Sequence, residues 1–128
     1  MPDQPPITDA ESLVMEVLWA AAPRSADEIV AALAGNADWQ EATIKTFLSR
    51  LLKKGVISAE YQGRRYLYSP VLQRADWVDA QSRSVLDRLF GGRVAPLVAH
   101  FSARHELSRE DLAELRKLID GLDDGQAR

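Results

Sequence analysis

Residues 43–55 read TIKTFLSRLLKKG. Placed on a helix, Ile44, Phe47, Leu48, Leu51 and Leu52 fall at i, i+3, i+4, i+7 and i+8, one apolar stripe that needs a core to lie against. The other side carries Thr43, Lys45, Thr46, Ser49, Arg50 and Lys53 without a carboxylate, although the whole chain holds more acids than bases. A helix divided in this way can set its back to a domain and its front to a polyanion.

The 128 residues suffice for one ordinary domain or two small lobes, and a hydrophobic content of 46% supports a packed core. Without cysteine there are no disulfides, thiolate metal sites or cysteine nucleophiles. The N-terminus lacks a basic stretch before an apolar run, and no apolar run approaches the ~20 residues of a membrane span. A cytoplasmic protein without membrane insertion is expected.

The net charge of -3 hides a strong asymmetry. Residues 1–42 hold eight acids and one base, residues 43–74 seven bases and one acid, and residues 75–128 ten acids and eight bases. A local basic face, rather than net charge, is the footprint of nucleic-acid binding.

Three helices are expected before Gly55. Thr8 opens the first in a capping box with Glu11, and Leu13, Val14, Val17 and Leu18 form its buried stripe up to Trp19. Pro23 disfavours helix in the residue before it and ends this helix near Ala22. Ser25 and Glu28 repeat the box for a short second helix facing inward through Ile29, Val30 and Leu33, and Gly35-Asn36 closes it. Trp39 leads into the third, basic helix.

After Gly55 the periodicity changes from 3.6 to 2. Val56–Tyr61 and Tyr66–Val71 read as short strands joined by Gln62, Gly63 and Arg64, a hairpin with Arg64 and Arg65 at or beside its tip. Two helices, a basic helix and a basic hairpin follow the order of a winged helix-turn-helix domain. In that arrangement the third helix enters the major groove of double-stranded DNA and the hairpin touches the flanking backbone.

On this reading Arg50 is positioned for a bidentate contact to guanine, while Thr43 and Thr46 can offer a hydroxyl to phosphate or a methyl to thymine. Lys45 and Ser49 share the base-facing side. Lys53 and Lys54 at the helix end, with Arg64 and Arg65 on the wing, are expected on phosphates. Tyr66 and Tyr68 are lesser candidates, at least one of them being assigned to hairpin packing.

From Leu72 the pattern is helical again. A helix from about Arg74 to Phe90 presents Trp77, Val78, Val85, Leu86, Leu89 and Phe90 and is broken by Gly91-Gly92. Val94–Phe101 is a second apolar element, including Leu97 and Val98, with Pro96 tolerable only in its first turn. Ser108, with Asp111 at N3, starts a last helix carrying Leu112, Leu115, Ile119 and Leu122 at heptad spacing. A lobe this small has little room for a private core. A homodimer would cover Leu86, Leu89, Phe90, Val94, Leu97, Val98, Phe101, Leu112, Leu115, Ile119 and Leu122; the alternative is that these helices fold back on the N-terminal domain. The fold expected is mainly α, with a winged helix-turn-helix domain over residues 1–73 and a three-helix dimerisation lobe over residues 74–128.

ITDAESLVMEVLW (7–19), Trp39 before TIKTFLSRLLKKG, GRRYLYSP (63–70), FGG (90–92), LVAHF (97–101) and LSREDLAELRKLI (107–119) resemble, in this order, the penicillinase and methicillin-resistance repressors of bacteria, the BlaI/MecI type, with their copper-responsive relatives. The resemblance implies a winged-helix dimer that binds an inverted-repeat operator and blocks transcription. It also implies release by cleavage of the dimerisation lobe, triggered by a membrane sensor protease that responds to β-lactams. The cysteine pairs of the copper-responsive branch are absent, which argues against copper sensing of that type. The cleaved bond of the antibiotic-responsive members is Asn-Phe, and the matching candidate here is His100-Phe101.

No Gly-rich phosphate loop is present, and the only histidines, His100 and His105, are spaced by five and do not share a helical face. They are expected at the surface or in a loop, without metal, cofactor or catalysis. A rival reading is a winged-helix adaptor that binds another protein, because fold does not dictate function; a regulator of the same fold responding to a different signal is a further alternative.

Overall fold

The computed structural model describes residues 6–34 and 39–126, so the expected Gly35-Asn36 turn lies outside the described residues. The chain divides into two compact units, Met1–Asp79 and Ala80–Arg128. Within the first, α1 (Asp9–Ala20), β1 (Arg24–Ser25), α2 (Ala26–Leu33), α3 (Glu41–Lys53), β2 (Ile57–Gln62) and β3 (Arg65–Pro70) follow in order. The helix α4 (Arg74–Leu89) runs through the division, and α5 (Val94–Ala103) and α6 (Arg109–Gln126) complete the second unit. This is a winged helix-turn-helix unit followed by helices.

Local chemistry sets the helix starts. Thr8 and Glu11 close a reciprocal capping box on α1, with the Thr8 amide donating to Glu11 Oε1 at 3.0 Å and the Glu11 amide to Thr8 Oγ1 at 3.1 Å. Ser25 and Glu28 do the same for α2, and Ser108 and Asp111 for α6. The start of α3 is different, because Gln40 stands at its N-cap without a side-chain hydrogen bond.

Among the described residues, every fully buried hydrophobic side chain lies in the first unit: Val14, Met15 and Leu18 of α1, Ile29 and Leu33 of α2, Ile44, Leu48 and Leu51 of α3, and Val56 and Ile57. Each such burial contributes roughly 1.5–3 kcal/mol. The buried stripe of α1 is Glu11, Val14, Met15 and Leu18, at i, i+3, i+4 and i+7. Leu13, expected inward, is 41% exposed because that stripe is centred one residue further on, with a carboxylate as its first member. Leu52 likewise lies at the edge of the α3 stripe, exposed, whereas Phe47 is half-buried with its ring 5.1 Å from that of Trp39.

Gly55, at φ +75, turns the chain out of α3 so that the Val56 amide donates to the Leu51 carbonyl. The hairpin that follows has a two-residue connection, Gly63-Arg64, with Gln62 opposite Arg65. Gly63 has φ +66 and Arg64 is not in the positive-φ region, as in a type II′ turn. Each strand therefore runs one residue further toward the tip than expected, to Gln62 and from Arg65. The central strand β3 also pairs with β1 through Arg24↔Tyr68 and Ser25↔Leu67, giving a sheet of order β1-β3-β2.

The chain leaving the wing is fixed to α1. Trp19 Nε1 donates to the Leu72 carbonyl at 2.8 Å, the Trp19 and Trp77 rings lie 5.3 Å apart, and Arg74 pairs with Glu16 at 2.9 Å. In the second unit the picture reverses, for none of residues 80–123 is buried. Leu89, Val94, Phe101, Leu112, Leu118, Ile119 and Leu122 are 39% to 66% exposed.

Candidate nucleic-acid interface

With 3.6 residues per turn, the side of α3 directly opposite Ile44, Leu48 and Leu51 is formed by Ala42, Thr46, Ser49 and Lys53, flanked by Lys45 and Arg50. All six are exposed, while Thr43 turns partly toward the core and is half-buried. Burial of the apolar stripe holds this face outward as a rigid surface.

The helix begins at Glu41, two residues before Thr43, and this alters its charge. Glu41 pairs with Lys45 at 2.9 Å, so the outward side is not free of carboxylates. Hydrogen bonding to Glu41, then its charge, holds the Lys45 ammonium above its usual value, with lesser help from Asp27 and Tyr68. Arg50 and Lys53 enter no ion pair among the described residues. They are the cations of this face available to an incoming anion.

Lys54 departs from its expected role. It reaches back to Glu11 Oε1, the same oxygen that accepts from the Thr8 amide, and its side chain is only 26% exposed. Its ammonium neutralises a buried carboxylate instead of facing solvent. Burial alone would raise the Glu11 carboxyl, but the hydrogen bond and charge of Lys54 together with the Thr8 contacts outweigh it and hold the group below its usual value. The tie links the C-terminal end of α3 to the first turn of α1.

On the wing, Arg64 and Arg65 are both exposed. Tyr61 and Tyr66 face each other across the hairpin with rings 5.0 Å apart, edge to face, while Tyr68 is packed against the core. Hairpin packing thus engages Tyr66, and core packing Tyr68. Between the wing and the helices lies a cleft of about 260 Å³ lined by Ser25, Ala26, Asp27, Lys45, Arg65, Tyr66 and Tyr68. It joins the start of α2, the side of α3 and the wing into one continuous surface.

Exposed α3 cations, wing arginines and the cleft between them all belong to the first unit. The structure sets Lys45, Thr46, Ser49, Arg50 and Lys53 on one exposed side of α3, brings Lys45 and Arg65 to one cleft, leaves Arg64 exposed on the wing, turns Thr43 partly inward and pairs Lys54 with Glu11. Glu41 was signalled by its place four residues before Lys45. Ala42, inconspicuous by residue type, joins the face only once the helix is known to begin before it. In the second unit, His100 and Phe101 sit within α5 with rings 5.2 Å apart, and His105 follows in the next turn at φ +58. No cluster of metal-ligating side chains occurs among the described residues, and no described helix is long and apolar enough to cross a membrane.

Fold and surface together define a winged-helix transcriptional regulator of the DNA-binding kind. The sequence model of the penicillinase repressor family matches residues 7–121, and the chain belongs to that family. It is 33% identical over 116 residues to the penicillinase repressor of Bacillus licheniformis, covering 91% of each chain. It is 28% identical over 113 residues to the methicillin resistance regulatory protein MecI of Staphylococcus aureus (strain N315), covering 88% of this chain and 92% of the relative. Among solved structures, it is similar to the Bacillus licheniformis BlaI monomeric form in complex with the blaP half-operator, with TM-score 0.52 and 36% identity over 59% of this chain and 93% of that one.

Proposed function

We propose that this chain is a transcriptional repressor of the β-lactam-resistance type that binds an inverted-repeat DNA operator as a homodimer. The observation that carries the reading is the outward face of α3, exposed along its length, bearing Arg50 and Lys53, which enter no ion pair among the described residues, and sharing a cleft with Arg65 of the wing through Lys45. Its support is the family, in which the BlaI relative was solved with a half-operator. The helix would enter the major groove while Arg64, Arg65 and Lys53 rest on phosphates.

One copy of so short a face makes few base contacts. The apolar side chains of α5 and α6 supply a reason for a second copy, since Leu118, Ile119 and Leu122 are more than half exposed and a two-fold partner would cover them. Two recognition helices would then meet half-sites about 34–36 Å apart or a multiple of that spacing. Cleavage within the second unit would separate these helices from the DNA-binding unit, and His100-Phe101 is the candidate bond. It lies inside α5, so a membrane sensor protease would have to open that helix before cutting.

Selection from random duplexes with the intact chain tests the reading. An enriched inverted repeat is expected. Enrichment of no motif would identify a protein-binding adaptor instead, and a single unrepeated half-site would remove the dimer.

A further inference from the structure

Thr46 stands at the middle of the outward face of α3, and its hydroxyl is already occupied: Oγ1 donates to the Ala42 carbonyl one turn earlier at 3.0 Å. A hydroxyl has one proton. With that proton held by the backbone, Thr46 cannot donate to a phosphate oxygen, to guanine O6 or N7, or to thymine O4, all of which are acceptors only. What it retains is an acceptor lone pair and a methyl group.

The surroundings favour the methyl. Ala42, at i-4, exposes its own methyl beside Thr46, and both lie in the first half of α3, the part of a recognition helix that meets base edges. The neighbouring cation Lys45 is tethered to Glu41. A small apolar strip therefore sits on the outermost side of the helix between polar neighbours, and thymine is the base that presents a methyl in the major groove.

We propose that Thr46, with Ala42 beside it, is a specificity-determining residue that reads the 5-methyl group of a thymine in each half-site. The inference rests on the operator-binding reading above and narrows it to one chemical group on the DNA.

The test uses the intact chain and the duplex obtained by selection, with each thymine replaced in turn by deoxyuridine, which lacks only the methyl. Binding is followed by fluorescence anisotropy for the wild type, Thr46→Val and Thr46→Ser, with circular dichroism confirming equal folding. One symmetry-related thymine should be sensitive, its replacement weakening the wild type on the order of fourfold per half-site, the worth of one buried carbon. Thr46→Val keeps the methyl and should bind as the wild type does, with the same sensitivity to deoxyuridine. Thr46→Ser should bind more weakly and lose that sensitivity. A loss of affinity in Thr46→Val would show that the hydroxyl itself is read, and deoxyuridine penalties unchanged in Thr46→Ser would assign the thymine to another residue; either result overturns the proposal while operator binding stands. Failure of the selection to enrich any sequence would sink the operator reading and this proposal with it.

Discussion

Lys54 is hydrogen bonded to Glu11 across 43 positions of sequence, so that the C-terminal end of α3 is tied to the first turn of α1. The carboxylate is 1% exposed and caps its own helix through the same oxygen, Oε1; its other oxygen, Oε2, has no partner among the described residues. A charge held this way depends on its cation, since leaving it unpaired in the interior is costly.

Lys53 and Lys54, adjacent in sequence, should therefore behave oppositely. Lys54→Met retains the apolar stem but strands Glu11, and should lower unfolding free energy by about 3 kcal/mol, the low end for a broken buried pair because the Lys54 side chain is partly exposed. Lys53→Ala should change stability by less than about 0.5 kcal/mol and weaken DNA binding. Urea unfolding and anisotropy titration of both variants check this, and equal stability of the two would remove the structural role given to Lys54.

The pH dependence follows from the lowered Glu11 carboxyl. Its folded value lies below the unfolded value of about 4.3, so the stability it contributes is present above that pH and is lost as pH falls toward the folded value. Glu11→Gln should be less stable than the wild type at neutral pH, and the difference should shrink below about pH 4. Unfolding free energies measured from pH 7 to pH 3 decide it; a constant difference over that range would deny the linkage.

Capped helices were legible because their signals are local. Thr8 with Glu11, Ser25 with Glu28 and Ser108 with Asp111 each stand three residues apart, and the boxes form in the structure as read. The hairpin was legible from Gly63. Features built by distant pairing were not: β1 is two residues long and exists through Tyr68 and Leu67, more than 40 positions away, and nothing near Lys54 announces Glu11. The lead-in from Trp39 to α3 was legible, but the outward face only from Thr43 onward, because Gln40 offers no side-chain cap to mark the first turn, and the Glu41–Lys45 pair was missed with it. Leu13 was misplaced because a buried glutamate, which no hydrophobic pattern marks, begins the stripe of α1.

Removing the Glu41 tether should release Lys45. Glu41→Gln deletes a carboxylate from the edge of the α3 face and leaves one more ammonium free for phosphate. Affinity for duplex DNA should rise at low salt, with log K falling more steeply against log salt by up to one phosphate's worth. An unchanged affinity and salt slope would mean that Lys45 faces no phosphate.

For the second unit the expected outcome concerns assembly. The intact chain should sediment as a dimer at micromolar concentration. Ile119→Glu combined with Leu122→Glu, both at positions more than half exposed in the single chain, should give a folded monomer that binds a full operator more weakly. A wild-type monomer would contradict the dimer assignment directly.

The central claim is that the outward face of α3 reads base sequence, and Arg50 tests it most directly, because it is exposed, without an ion pair among the described residues and suited to bidentate guanine contact. Anisotropy titrations of Arg50→Ala should be made on the selected operator and on a scrambled duplex of equal length at the same salt. The operator should lose about 1–3 kcal/mol of binding free energy with preference relaxed at one base pair, while the scrambled duplex loses much less. An equal loss on both would make Arg50 a phosphate contact and contradict sequence reading by this face.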